Sequence, residues 1–587
     1  MQRKALCSVG FVASVIWLGW RWCCEQGDIL HLARNRINWK PCIEDPQFLC
    51  GYLEVPTDYN DPSAGTSILA LSNLPAPCPA SQRLGIILTN YGGPGAPGRT
   101  MSFGEGRRIQ NVTGSRHDIV SFDQRGLGRS TPSVNCFGSA LAYQQFKANT
   151  VMDTSFAVPK DPFSEAGKAV LVEQQRRALA LEEVQGAMCG RAMGAALGYM
   201  STTTTVHDME EISRVMEGED ALINFHGGSY GSIVGQYLAN MLPHKAGRIY
   251  ITGVVPADMW ANQHYETQKT LQLLLTDAEK VYRFFLDECH GAGPEHCALS
   301  KEGDVGRDDI AQRVDAFLDR LQDHPMPILN HTRPGFLTSG GVRNVLFFTL
   351  QIPNWWKRIA GALAGLMDGV DDAQIYRFSS PTFSPLPNEM PRAPDGFVDV
   401  GQHELTRLTI SCGDALPREK DEGLPTAAEI VDDLLVTLRD VSPMFGATVH
   451  MNEQHGGCQY WPGTGVGPAR YRGPFNKTLA TPMLILSNTH DAITPYAAGK
   501  IVQQQSPNAH HLVQESAGHS YLAPYTSCAL NAIRAYFVNG ELPAGNENET
   551  RCKREMGSYF REVPVDSISS ADAWRDEEAA FFRMRLV

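Results

Sequence analysis

The sequence has 587 residues, 43% of them hydrophobic and 20% charged, the balance of an ordinary globular protein and not of a disordered, collagenous or multi-span membrane chain. Lys and Arg number 51 against 64 Asp and Glu, a net charge of -13, so no basic field exists to release counterions from nucleic acid, and nucleic-acid binding is excluded as a function class.

At the amino terminus Arg3 and Lys4 precede a 16-residue apolar run, Ala5 to Trp20, closed by Arg21. That order is a secretory signal, read as residues 1–24: a signal peptide, since the run is shorter than the roughly 20 residues a spanning helix needs, or a signal anchor, since no small-residue cleavage site follows it. The expected location is secreted, with a membrane-anchored luminal or extracellular catalytic domain as the alternative. Of 14 cysteines, Cys7, Cys23 and Cys24 lie in or beside the run, which leaves eleven, so one thiol stays free if the rest pair. The spacings Cys42/Cys50, Cys289/Cys297 and Cys528/Cys552 close easily; connectivity beyond that is open. Asn111, Asn330, Asn476 and Asn548 each begin an Asn-x-Thr sequon and are glycan acceptors if the chain is luminal.

Short apolar runs closed by Gly-rich turns, at Leu84, Asp118, Ala221 and Arg248, read as buried strands, with helical patterns at Lys168 to Met188 and Val206 to Met216 between them. This β-α-β alternation predicts an α/β, doubly wound, mostly parallel sheet over residues 35–258. Residues 259–474 then read as helices (Glu266 to Leu286, Asp308 to Leu321, Val342 to Met367, Ala427 to Val441) between Pro/Gly-rich loops, a large helical cap inserted before the last two strands. Those strands, at Pro482 and His511, return the chain to the core over 475–552, and 553–587 is a tail whose Ser569 and Asp572 stand at capping-box spacing.

The strongest local signal is Gly227-Gly-Ser229-Tyr-Gly231, a G-x-S-x-G between an apolar strand and the helix-compatible Ile233 to Leu242. The turn needs small residues two before and two after the serine, because the strained strand-to-helix bend leaves no space for side chains. A serine at its free pKa is a poor nucleophile and needs a base and an orienting carboxylate, which in this arrangement follow in the order Ser, Asp, His. Asp491 stands after the penultimate strand and His519 after the last, and both converge with Ser229 at the carboxyl edge of the sheet. His490 and Glu515 are the rivals: His490 has to turn away from its own strand end, and Glu515 precedes the loop. For an oxyanion hole the Tyr230 amide offers one donor, and the loop Asn90-Tyr-Gly92-Gly93-Pro-Gly95 offers the second, Gly93 ahead of Gly92. No P-loop or dinucleotide fingerprint is present, His403-Glu404 lacks the second histidine of H-E-x-x-H, and Cys289-His290 with His296-Cys297 reads as a disulfide before a metal box, so no metal and no cofactor is expected.

These residues resemble the α/β-hydrolase peptidases that include prolyl iminopeptidases and tripeptidyl-aminopeptidase-like secreted hydrolases. Gly92-Gly-Pro-Gly95 resembles their oxyanion loop, Asp123-Gln-Arg125-Gly-Leu-Gly128-Arg-Ser130 their D-x-R-G-x-G-x-S segment, and Gly227 to Gly231 their nucleophile elbow. Cys458-Gln-Tyr-Trp461, Tyr471 to Phe475, Asp491 with Thr494-Pro495, and Gly518-His519 resemble the C-terminal region of the tripeptidyl-aminopeptidase-like branch. The resemblance implies catalytic Ser229, Asp491 and His519, five bridges (Cys42–Cys50, Cys136–Cys189, Cys289–Cys297, Cys412–Cys458, Cys528–Cys552) and a free Cys78. Asn90-Tyr91, Thr252 and Ala492 depart from the family pattern and leave the triad intact. The activity implied is a Ser-His-Asp aminopeptidase, with an esterase or thioesterase on a small-molecule acyl substrate as the alternative and a non-catalytic binding protein as the third reading. Such peptidases neutralise the substrate amine with cap carboxylates; Asp258 is the one candidate the sequence offers. The expected partner is the peptide or acyl substrate, and a membrane only through an uncleaved anchor.

Overall fold

The computed structural model describes residues 36–561, apart from 266–267, 330–333, 371–372, 380–401, 419–421, 454–456, 464–465 and 545–547. The signal segment, Asn330 and the Ser569 to Val587 stretch lie outside the described residues. Twelve strands are described: β1 (Lys40–Pro41), β2 (Leu49–Pro56), β3 (Thr66–Leu74), β4 (Ile86–Asn90), β5 (Asp118–Phe122), β6 (Ile223–Gly228), β7 (Ala246–Thr252), β8 (Met326–Ile328), β9 (Gly335–Leu337), β10 (Leu484–His490), β11 (His510–Ala517) and β12 (Glu549–Cys552). Ten of them form one sheet in the order β1-β2-β3-β5-β4-β6-β7-β10-β11-β12, parallel from β5 to β12 and antiparallel at β1 to β3.

The central strands carry apolar side chains on both faces, as a sheet covered on both sides requires. Leu88, Val120, Phe225 and Ile251 enter one core cluster and Ile87, Ile119, Tyr250 and Leu486 the other. Helices Gly98–Val112 and Ser527–Asn539 cover the second face, and Thr202–Glu217 and Tyr230–Met241 the first. The doubly wound, mostly parallel α/β-hydrolase fold is therefore present.

Three features differ from the sequence expectation. The antiparallel pair β2–β3 and the last strand β12 are additions, so three strands, not two, follow the cap. The helix Glu165–Met193, assigned by the 35–258 boundary to the core, packs instead on the cap helix Ala427–Asp440 through Leu171, Ala178, Val431 and Leu434. At 29 residues it is about 44 Å long, far more than five-residue strands can cover. The cap thus has two insertions, one on each side of the elbow strand. Finally, the segment read as one helix from Val342 to Met367 is two, Ser339–Gln351 and Trp356–Met367, broken at Ile352-Pro353, where proline has no N–H to donate.

The tail is not free after Cys552. Tyr559 and Phe560 enter the cap core beside Phe285 and Trp356, and Arg554 pairs with Glu288 at 2.9 Å.

Candidate active site

Ser229 sits between β6 and the helix Tyr230–Met241 at φ 55°, ψ -122°, a conformation that a non-glycine residue adopts only under constraint. The constraint is steric: a Cβ on Gly227 would stand 2.3 Å from the Gly231 carbonyl oxygen, and one on Gly231 2.5 Å from that of Asn90. The Ser229 amide donates to the Thr252 carbonyl at 3.0 Å, which fixes the turn against β7.

Asp491 follows β10 and is fully buried. Its Oδ1 accepts the amides of Ile493 and Thr494 at 3.0 and 2.9 Å, and its Oδ2 accepts the Ser520 amide at 3.0 Å and the Thr494 hydroxyl at 2.7 Å. His519 Nδ1 lies 3.1 and 3.0 Å from the two oxygens. Burial on its own raises the Asp491 pKa, but the facing imidazole and these donors outweigh it and hold the carboxyl below the usual value. The His519 loop is clamped from both sides. Asn488 Nδ2 donates to the carbonyls of Gly518 and Ser520, each at 2.9 Å, and the His519 amide donates at 2.9 Å to the carbonyl of Gln351 in the cap.

Ser229 and His519 line one cavity of about 160 Å³, with no hydrogen bond joining their side chains. Such bonds are commonly long in unliganded sites and tighten when substrate binds. Gly93 and Tyr230 line the same cavity, and neither amide has a hydrogen-bond partner among the described residues. Gly92 differs: its amide donates to Asn90 Oδ1 at 3.0 Å. Of the two glycines, Gly93 is the one left with a free donor. Tyr230 is anchored by its own hydroxyl, 2.5 Å from Thr202 Oγ1, which donates to Asp414 on the cap helix His403–Asp414.

The D-x-R-G-x-G-x-S segment supplies scaffold. Asp123 accepts the amides of Arg99 and Arg129, and Arg125 forms a fully buried pair with Asp208 at 2.7 Å while donating to the Pro56 carbonyl. These bonds hold the start of the helix that follows the glycine loop.

The rivals are placed elsewhere. His490 stacks on Phe284 at 4.2 Å, and burial pushes its imidazole down to about 4; Glu515 accepts the Arg554 amide. Asp258 is exposed, bonded to Asn262, and does not line the cavity. Among the described residues, the carboxylates that line it are Glu404 and Glu453. Glu453 is engaged by Arg407 at 2.5 Å and Tyr265 at 2.8 Å. Glu404 Oε1 takes Lys147 at 3.2 Å, while its Oε2 is buried with no hydrogen-bond partner among the described residues. In the sequence Glu404 stands only within an incomplete zinc motif, His403-Glu404, and Gln351 carries no motif signal. The remaining lining is largely apolar, including Trp260, Phe347 and Phe348.

All five expected bridges are bonded, and Cys78 is free. Asn111, Asn476 and Asn548 are exposed. Among the described residues no cluster is placed to hold a metal, and no helix is long and apolar enough to cross a membrane.

Residues 442–552, which carry both Asp491 and His519, match the family model described as TAP-like protein. The serine protease Hip1 of Mycobacterium tuberculosis (strain ATCC 25618 / H37Rv) is 24% identical over 519 residues, 86% of this chain and 89% of its own. The chain is a serine hydrolase of the α/β-hydrolase fold, and its C-terminal part is similar to the TAP-like proteins. Two further relatives are similar to the chain. The tripeptidyl aminopeptidase of Streptomyces lividans is 31% identical to the hydrolase over 233 residues, 38% of this chain and 39% of its own. Carboxylesterase B of Mycobacterium tuberculosis (strain ATCC 25618 / H37Rv) is 26% identical over 499 residues, 84% of this chain and 85% of its own.

Proposed function

We propose that the hydrolase is a secreted aminopeptidase that releases N-terminal residues or short peptides through an acyl-enzyme. In this reading His519 Nε2 takes the Ser229 proton as Oγ attacks the scissile carbonyl carbon, and Asp491 stabilises the imidazolium. The amides of Gly93 and Tyr230 hold the oxyanion. The imidazolium then protonates the leaving amine, the C–N bond breaks, and water, deprotonated by His519, resolves the ester and regenerates Ser229.

The observation that carries the peptidase reading is Glu404, a carboxylate that lines the cavity with Ser229 and whose buried Oε2 has no hydrogen-bond partner among the described residues. A buried carboxylate oxygen without a donor is costly, and a substrate ammonium supplies one. Similarity to a serine protease and a tripeptidyl aminopeptidase supports the same reading. The apolar lining and the carboxylesterase relative support the alternative, an esterase or thioesterase acting on a small-molecule acyl substrate by the same steps. Secretion, by a cleaved signal peptide or with the segment kept as an anchor, is supported by the apolar run at Ala5 to Trp20 and by five disulfides, which form in oxidising compartments.

The test is hydrolysis of matched amino-acid and tripeptide arylamides, free and N-acetylated, beside short-chain aryl esters, with the glycosylated protein and Ser229→Ala. Cleavage of free but not acetylated peptides, lost in the variant, is the expected result. Ester turnover without amide turnover, also lost in the variant, would replace the peptidase reading with the esterase one.

A further inference from the structure

Thr494 touches two members of the candidate triad at once. Its Oγ1 lies 2.7 Å from Asp491 Oδ2 and 2.9 Å from His519 Nδ1, and its amide holds Asp491 Oδ1 at 2.9 Å. The residue also lines the cavity beside Ser229 and is buried.

A threonine hydroxyl has one proton, and an ionised carboxylate can only accept. If the hydroxyl donated to His519 Nδ1, that nitrogen would be bare and would face two Asp491 oxygens at 3.0 and 3.1 Å, acceptor against acceptor. The proton therefore goes to Asp491 Oδ2. Only lone pairs of Oγ1 then remain for Nδ1, so Nδ1 carries the hydrogen and shares it between Asp491 and Thr494. Nε2 is left bare as the base. The same hydroxyl completes the donor set of Asp491, whose oxygens also receive three backbone amides, and keeps the carboxylate from rotating away from the ring.

Resting on the reading of Ser229, Asp491 and His519 as the working triad, we infer that Thr494 is a positioning residue, its side-chain hydroxyl fixing the Asp491 rotamer and, through it, the orientation of the His519 ring whose Nδ1–H it shares. It acts through the dyad and does not itself meet the reacting atoms.

The test compares Thr494→Val, which removes the hydroxyl at nearly constant volume, with Thr494→Ser, which keeps it, and with Ser229→Ala. An aryl acetate and a fluorophosphonate are the probes, since both report on the serine whichever natural substrate is used. The valine variant should lose roughly 10-fold or more in kcat, within the range that base catalysis supplies, with KM changed less than about twofold and phosphonate labelling slowed in parallel. The serine variant should recover to within about threefold of the parent, an outcome that packing alone does not produce. Unchanged kcat and labelling in Thr494→Val, with Ser229→Ala inactive, would overturn the role of Thr494 while leaving the triad standing. A serine variant as slow as the valine one would overturn it too. Activity and labelling that survive Ser229→Ala would overturn the reading of the site and this inference with it. Should the valine variant not fold, Thr494→Ala takes its place in the same comparison, where parental kcat and labelling would overturn the role of Thr494, and nitrogen NMR of the ring-labelled parent that puts the proton of a neutral His519 on Nε2 would overturn the donor arrangement.

Discussion

The hydroxyl of Tyr559 accepts a hydrogen bond at 2.8 Å from the amide of Ala517, two residues before His519. Tyr559 also packs on Trp356 of the cap, and its own amide donates to Glu288 on the cap helix Ala278–Ala292. One side chain from the chain's tail thus joins the end of β11 to the cap. Replacing it with Phe keeps the packing but leaves the buried Ala517 N–H without an acceptor, which costs about 1–3 kcal/mol. Tyr559→Phe should lower the chemical-denaturation midpoint accordingly and reduce turnover far less than Ser229→Ala. Equal midpoints for variant and parent would mean that the Ala517 amide finds another partner.

The elbow allows a sharper steric prediction. Gly227→Ala places a Cβ 2.3 Å from the Gly231 carbonyl oxygen and 2.5 Å from the Phe225 ring, backbone on one side and a buried aromatic on the other. Neither can move without unwinding the helix behind Ser229 or opening the core under β6. The cost is expected at or above about 4 kcal/mol, the level reserved for strain and overpacking in a core. The variant should fail to accumulate as folded protein, or unfold at a much lower denaturant concentration. An alanine variant with parental stability and labelling would show that the turn relaxes.

Much of this site was legible because its constraints are local. The glycines around Ser229 are demanded by a bend that any sequence must satisfy, and β4, β5, β6 and β7 are apolar runs because both faces are covered. What escaped is non-local. The helix Glu165–Met193 is visible as a helix, but nothing in its own residues says that Leu171 and Ala178 meet Val431 and Leu434 across more than 250 positions. β2 alternates burial, and β3, buried from Leu69 to Leu74, interrupts its apolar run with Ser72 and Asn73, so neither reads as a continuous apolar strand. Pro353 stands inside an otherwise continuous helical pattern and ends the first helix. Its consequence, that the Gln351 carbonyl at the helix end is free to accept the His519 amide, exists only in three dimensions.

Glu182 offers a test by pH. It is buried in the helix Glu165–Met193, neither carboxyl oxygen has a hydrogen-bond partner among the described residues, and burial pushes its pKa well above the unfolded value. A carboxyl raised in the folded state takes up a proton on folding. Its stabilising effect is therefore complete below the unfolded pKa, near 4.5, and is lost as pH rises toward the folded value. Glu182→Gln removes that dependence. The stability difference between variant and parent should move in favour of the variant from about pH 5 to about pH 8, by about 1.4 kcal/mol for each unit separating the two pKa values. A difference that stays constant with pH would mean that Glu182 is solvated.

Glu404→Gln tests the two proposed substrate classes within one protein. Glu404 Oε1 is occupied by Lys147 and its Oε2 has no partner among the described residues, so Glu404→Gln keeps an acceptor for the lysine while removing the charge a substrate ammonium would meet. A hydrogen bond to a charged group is worth about 1.5–3 kcal/mol, so kcat/KM for a free-amine peptide arylamide should fall by roughly 10- to 100-fold. The loss should sit mainly in KM, because the contact is made equally in ground and transition states. An aryl ester without an amine never uses the contact and should be cleaved by the variant within about twofold of the parent rate. If both substrates decline together, Glu404 serves to hold Lys147 and the cap in place, and the amine must be met by Glu453, whose Oε2 would first have to release Arg407 and Tyr265.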